Sequence, residues 1–195
     1  MQRFTYFMGR KHVTFYPGMT RLPEGSAPRT NNISHTITVD AEIPKGGAEG
    51  VLICLGGDTA GWTLFMKEGK LIYHYNWFDM ERYEIVSKTA VPEGEVELQC
   101  EFMNETNILG GPATVRLLIN GKEVAKGRVE KQPFGRFGIE CLDVGMDNLS
   151  PVCKGYAHKL PFAFTGKIKK VQMDFEGPMA EMSPVEKLEM QARMD

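Results

Sequence analysis

Residues 34–57, SHTITVDAEIPKGGAEGVLICLGG, decide how the chain is read. Ile37, Val39, Ala41 and Ile43 alternate with Thr36, Thr38, Asp40 and Glu42. A period of two puts one set inside and the other toward water, which predicts a half-buried antiparallel strand. Pro44 and the glycines of PKGGAEG end it, and VLICLGG follows as a continuous apolar run suited to a strand covered on both faces.

Working outward, GWTLFMKEGKLIYHYNWF from Gly61 reads as a hairpin whose KEGK turn can use Gly69 for a left-handed residue. ATVRLLINGKEVAKGRV from Ala113 is a second hairpin, marked by Asn120-Gly121, a strong short turn signal. ERYEIVSK and EVELQCEFM supply strands between them, and FTGKIKKVQMDFE places Val171, Met173 and Phe175 on one face. Ten or so strands at regular spacing, with Gly/Pro turns and almost no helical period before residue 180, predict an all-β fold. The architecture expected is a two-sheet antiparallel sandwich of jelly-roll type spanning 1–177 as one domain. The Pro- and Gly-rich segment from Tyr16 to Asn32 reads as an extended loop.

The tail, 178–195, departs from this pattern. Ser183 as N-cap, Pro184 at the first helical position and Glu186 three residues after the serine make a capping box. With Val185, Leu188 and Ala192 on one stripe, it predicts a short C-terminal helix that docks on the sandwich or meets another chain.

The net charge of −2 shows no basic surplus for nucleic acid. No segment approaches the roughly 18 apolar residues of a membrane span, and MQRFTYFMGRKHV lacks the apolar run of a signal peptide. Cys54, Cys100, Cys141 and Cys153 have neither C-x-x-C nor zinc-finger spacing, so they read as buried thiols or as a disulfide that a core of this size does not require.

Catalytic chemistry is not visible. Asp40/Glu42, Glu93/Glu95, Glu95/Glu97 and Asp143/Asp147 have spacings that could pair carboxylates as in a glycanase, but none sits in E-x-D-x-x-E. No serine lies in G-x-S-x-G, and His12, His35, His74 and His158 follow no triad order. Two binding sets remain. Tyr73, Tyr75 and Trp77 share one face of their strand with Leu71, and Trp62 is near on the preceding strand. This row of rings would stack on a sugar, with Asn76, Asp79 and Arg82 as polar contacts at its edge. Asp143, Asp147 and Asn148 offer hard oxygen donors for a calcium ion.

FYPGMTRLPEGSAP, residues 34–78, ERYEIVSK, LDVGMDNLSPV and FTGKIKKVQMDF together resemble the C-terminal domain of large bacterial arylsulfatases. The resemblance runs from about Phe15 to Phe175. It implies a concanavalin A-like sandwich that follows a catalytic domain and packs on it or on a neighbouring subunit, in the cytoplasm or the periplasm. The family's nucleophile requires C/S-x-P/A-x-R. The cysteines here begin CLGGD, CEFMN, CLDVG and CKGYA, and SAPRT from Ser26 carries its arginine one position early. The expected function is therefore a non-catalytic accessory domain. A carbohydrate-binding module is the alternative. NETNILGGPA, where relatives carry a glycine-dense turn, and the acidic tail depart from the family's pattern.

Overall fold

The alternation that opens the sequence reading is the alternation of a sandwich wall. In the computed structural model, which describes residues 10–138 and 140–177, residues 34–43 form a strand burying every second side chain. Twelve strands run in chain order among the described residues. They are β1 (His12–Phe15), β2 (Leu22–Pro23), β3 (Ser34–Ile43), β4 (Gly50–Gly56), β5 (Gly61–Lys67), β6 (Lys70–Trp77), β7 (Glu81–Val86), β8 (Gly94–Asn104), β9 (Ala113–Ile119), β10 (Lys122–Val129), β11 (Cys141–Val144) and β12 (Lys167–Glu176). They form two antiparallel six-stranded sheets, ordered β1-β12-β3-β8-β9-β10 and β2-β11-β4-β5-β6-β7. The only helical elements described are two 3-10 turns, Glu24–Ser26 and Lys154–Lys159. None is long and apolar enough to cross a membrane.

Ile37, Val39, Leu98, Cys100, Val115, Leu117, Val171 and Met173 of the first sheet meet Ile53, Leu55, Trp62, Leu64, Tyr73 and Tyr75 of the second in the main core. β9 and β10 turn at Asn120 (φ 51°) and Gly121 (φ 74°), two left-handed residues in succession, which is why an Asn-Gly pair stands there.

Every residue of β4 is buried, as its unbroken apolar run predicts. One face belongs to the main core. The other, with Phe65 and Ile72 of β5 and β6, lies under Val152, Cys153, Tyr156 and Phe162 in a second, smaller core. The segment from Gly145 to Phe164 thus caps the outside of the second sheet. It is stitched on by the Val51–Ala163 bridge and by Gly145 N–H to the Leu52 carbonyl, 2.9 Å. The close approach requires Gly50, at φ 119°, where a Cβ would fall 2.2 Å from the Ala163 oxygen.

β2 interrupts the segment expected as an extended loop, and β1 and β11, like β2, are too short for periodicity to show. Pairing makes them strands: β1 with β12, β11 with β4, and β2 with β11. The four cysteines are all free. The predicted helix over 183–195 lies outside the described residues.

Candidate functional site

β6 carries Tyr73 and Tyr75 inward, and β5 carries Trp62 the same way. All three rings are at most 1% exposed. Tyr75 stacks on Phe102 at 6.0 Å, Trp62 on Tyr73 at 6.3 Å, and the Trp62 Nε1–H donates to Thr30 Oγ1 at 2.9 Å. Trp77 packs against the same core while the Lys131 ammonium covers its ring at 4.8 Å. The expected stacking platform is therefore a correction: Trp62, Tyr73 and Tyr75 join the two sheets and leave no face for a sugar, and half-buried Trp77 keeps Lys131 over its ring. Burial pushes the phenols of Tyr73 and Tyr75 well above their ordinary value.

Asn76 and Arg82, expected as polar contacts to a ligand, are spent inside the molecule. The Asn76 side chain donates to the carbonyls of Gly57 (3.1 Å) and Asp58 (2.9 Å) and accepts from Asp79 N–H (2.8 Å). The Arg82 guanidinium donates to the carbonyl of Val152 (2.7 Å), to Asp79 Oδ1 (2.7 Å from Nη2) and to Asp58. Lys154 also pairs with Asp79 at 2.8 Å, and Lys154 together with Arg82 holds that carboxyl below its usual range. One arginine thus ties together three loops that are distant in sequence.

Of the expected calcium set, Asp143 and Asp147 are buried and Asn148 is partly so. Asp147 Oδ2 accepts from Tyr156 O–H (2.6 Å) and Val152 N–H (3.0 Å), and Asp143 Oδ1 accepts from Arg21 N–H. Burial raises the pKa of both carboxyls. Among the described residues they join no third carboxylate, thiol or imidazole near enough to share an ion. Asp147 turns to the capping segment, and its hydrogen bonds pin that segment down. Among the described residues, the group of side chains that can share an ion is His74, Glu84 and Cys153.

What stays open to a large ligand is the outer face of the first sheet. The register sets Thr14 beside Gln172, Gln172 beside Thr38, and Thr38 beside Gln99, a row of hydroxyls and amides crossing β1, β12, β3 and β8. All four are partly exposed, and the Gln99 amide lies 3.5 Å from Thr38 Oγ1. At a strand spacing of about 4.8 Å the row spans roughly 14 Å. Next to it runs a charged row, His12, Asp174, Thr36, Glu101 and Arg116. His12 Nδ1 is 2.6 Å from Asp174 Oδ1, and Glu101 pairs with Arg116. Of these residues, the alternation in the sequence marks Thr36 and Thr38 as the water-facing side of their strand. The signal was the alternation itself, but which neighbours complete each row depends on register.

No family model matches the sequence, and no curated protein does. Solved structures share its shape. A sialidase carbohydrate-binding module (CBM40) of Ruminococcus gnavus, solved with α2,6-sialyllactose, superposes with a TM-score of 0.54 at 14% identity over 92% of this chain and 95% of that one. The fold is that of lectin-like sandwiches. Leech intramolecular trans-sialidase (TM-score 0.53, 12% identity, 92% of this chain) and mouse laminin α1 LG4-5 (0.50, 10%, 88%) contain it too. This chain spans 26% and 40% of their respective lengths.

Proposed function

We propose that the protein is a non-catalytic, carbohydrate-recognising accessory domain whose ligand lies on the outer face of the first sheet. The observation that carries this reading is the Thr14–Gln172–Thr38–Gln99 row. Neutral amides and hydroxyls both donate and accept, as sugar hydroxyls do, and a flat sheet holds them rigidly. The equivalent face of the second sheet is closed by the capping segment. Support also comes from the superposition, over nearly its full length, of a domain solved with a sialylated sugar. With no aromatic ring in the row, binding rests on direct and water-mediated hydrogen bonds and is weak.

Titrating a panel of neutral, sialylated and sulfated oligosaccharides, read by NMR shifts of backbone amides, tests this. The expected shifts cluster on β3, β8 and β12. The double variant Thr38→Val, Gln99→Leu should weaken binding about tenfold, as loss of one or two hydrogen bonds implies. Silence across the panel, or shifts confined elsewhere, refutes the proposal.

A second reading, the C-terminal domain of an arylsulfatase, is favoured by where the segments carrying that resemblance meet. Asp58, Asn76, Arg82, Asp147 and Val152 all come from them, and all take part in the hydrogen bonds that hold the capping segment and its neighbouring loops. In this reading the domain packs on a sulfatase catalytic domain or a neighbouring subunit. An aryl sulfate should show no turnover with this chain alone, whereas a separately expressed catalytic domain should bind it. Turnover by the chain, or no association, counts against this reading.

A further inference from the structure

The capped face of the second sheet holds one cluster that neither reading uses. Cross-strand pairing sets His74 of β6 opposite Glu84 of β7, with His74 Nδ1 3.2 Å from Glu84 Oε2. Cys153 arrives from the capping segment. It is held on both sides, because Arg82 grips the Val152 carbonyl at 2.7 Å and Asp79 grips Lys154 at 2.8 Å. A ring nitrogen of His74, the Cys153 sulfur and a Glu84 oxygen all lie within 4.8 Å of one another. His74 and Cys153 are buried, 6% and 3% exposed, while the Glu84 side chain is 48% exposed and opens the cluster to water.

We propose that His74, Glu84 and Cys153 form a zinc site with water as the fourth ligand on the Glu84 side. A tetrahedral ion with bonds of about 2.0–2.3 Å sets its ligands roughly 3.3–3.8 Å apart, so separations of up to 4.8 Å need to contract by at most about 1.5 Å. A nitrogen, oxygen and sulfur set suits zinc and not calcium or magnesium, which take oxygen ligands. The thiol proton leaves to solvent as the zinc–sulfur bond forms, the zinc takes the place of the hydrogen bond between His74 and Glu84, and the thiolate and carboxylate together neutralise the ion. Arg82 Nη1 sits 3.5 Å from His74 Nε2, on the other side of the ring. Its charge is met by Asp58 and Asp79, and it sets the limit on affinity by disfavouring an added cation nearby.

The test is a cobalt(II) titration of the metal-stripped full chain under a non-thiol reductant, followed by displacement with zinc and monitored for folding by circular dichroism. One equivalent of cobalt should produce a thiolate-to-cobalt charge-transfer band, abolished by one equivalent of zinc. Cys153→Ser should eliminate the band. Glu84→Gln, at an exposed position, should weaken binding at least tenfold, and Cys141→Ser should leave the band intact. No band in the folded wild type, a band that survives Cys153→Ser or vanishes with Cys141→Ser, or unchanged affinity in Glu84→Gln overturns the assignment.

Discussion

Trp62→Ala should lower the unfolding free energy by about 3–5 kcal/mol, the loss expected when a fully buried large aromatic is truncated and its cavity only partly collapses. Trp62 is 1% exposed, stacks on Tyr73 and donates its indole proton to Thr30, so the variant loses packing and leaves the Thr30 hydroxyl without that donor. Denaturant unfolding measures the loss. Glycan binding by whatever fraction remains folded should be unchanged, because the ring faces the other sheet. A variant that keeps its stability and loses its ligand would reinstate the stacking platform. Tyr73→Phe and Tyr75→Phe serve as the companion test. Neither hydroxyl has a hydrogen-bond partner among the described residues, so removing them should be neutral or stabilising.

Acid should destabilise the fold through His35 by about 3 kcal/mol, as the 1.36 kcal/mol per pKa unit implies. The imidazole stacks on Phe102 at 5.1 Å and lies 6.0 Å from Phe175, with Nδ1–H donating to the Ile33 carbonyl at 2.9 Å. Burial drives its pKa from 6.5 down to about 4, against the small opposing effect of the Ile33 hydrogen bond. Between those values the unfolded chain binds more protons than the folded one. Stability therefore falls as pH drops through that window and is unaffected above it.

Other groups work the opposite way. Burial disfavours the charged form of His74, but its hydrogen bonds to Cys153 and Glu84 outweigh that and raise its pKa, so its contribution is present at low pH and lost as pH rises through the folded value. The raised carboxyls of Asp143 and Asp147 also gain stability on acidification. The difference between wild type and His35→Phe isolates the His35 term. It should be constant above pH 7 and shift in the variant's favour between pH 6.5 and 4. A difference independent of pH would show that His35 titrates normally.

The relation between β6 and its surroundings shows how far the sequence could be read. Alternation along LIYHYNWF correctly separates Leu71, Tyr73, Tyr75 and Trp77 from Ile72, His74 and Asn76. It cannot tell which set meets the other sheet, because the coverage comes from residues far along the chain. Phe102 and Phe137 cover Tyr75, and the segment carrying Val152 and Cys153 covers Ile72 and His74. Arg82 and Asn76 look like ligand contacts for the same reason: their partners at Asp58 and Val152 are brought in by folding.

The amino-acid sequence by itself determined an all-β sandwich, its two central hairpins and the doubly covered strand β4, because periodicity, Asn-Gly and an unbroken apolar run act through neighbours a few residues away. Only the tertiary structure decided which faces were sealed. Register across four strands assembled the hydroxyl and amide row, and a segment some 80 residues downstream of β6 closed over His74. Each of these depends on contacts between residues with no local relation to one another, and a linear pattern of side chains carries no information about them.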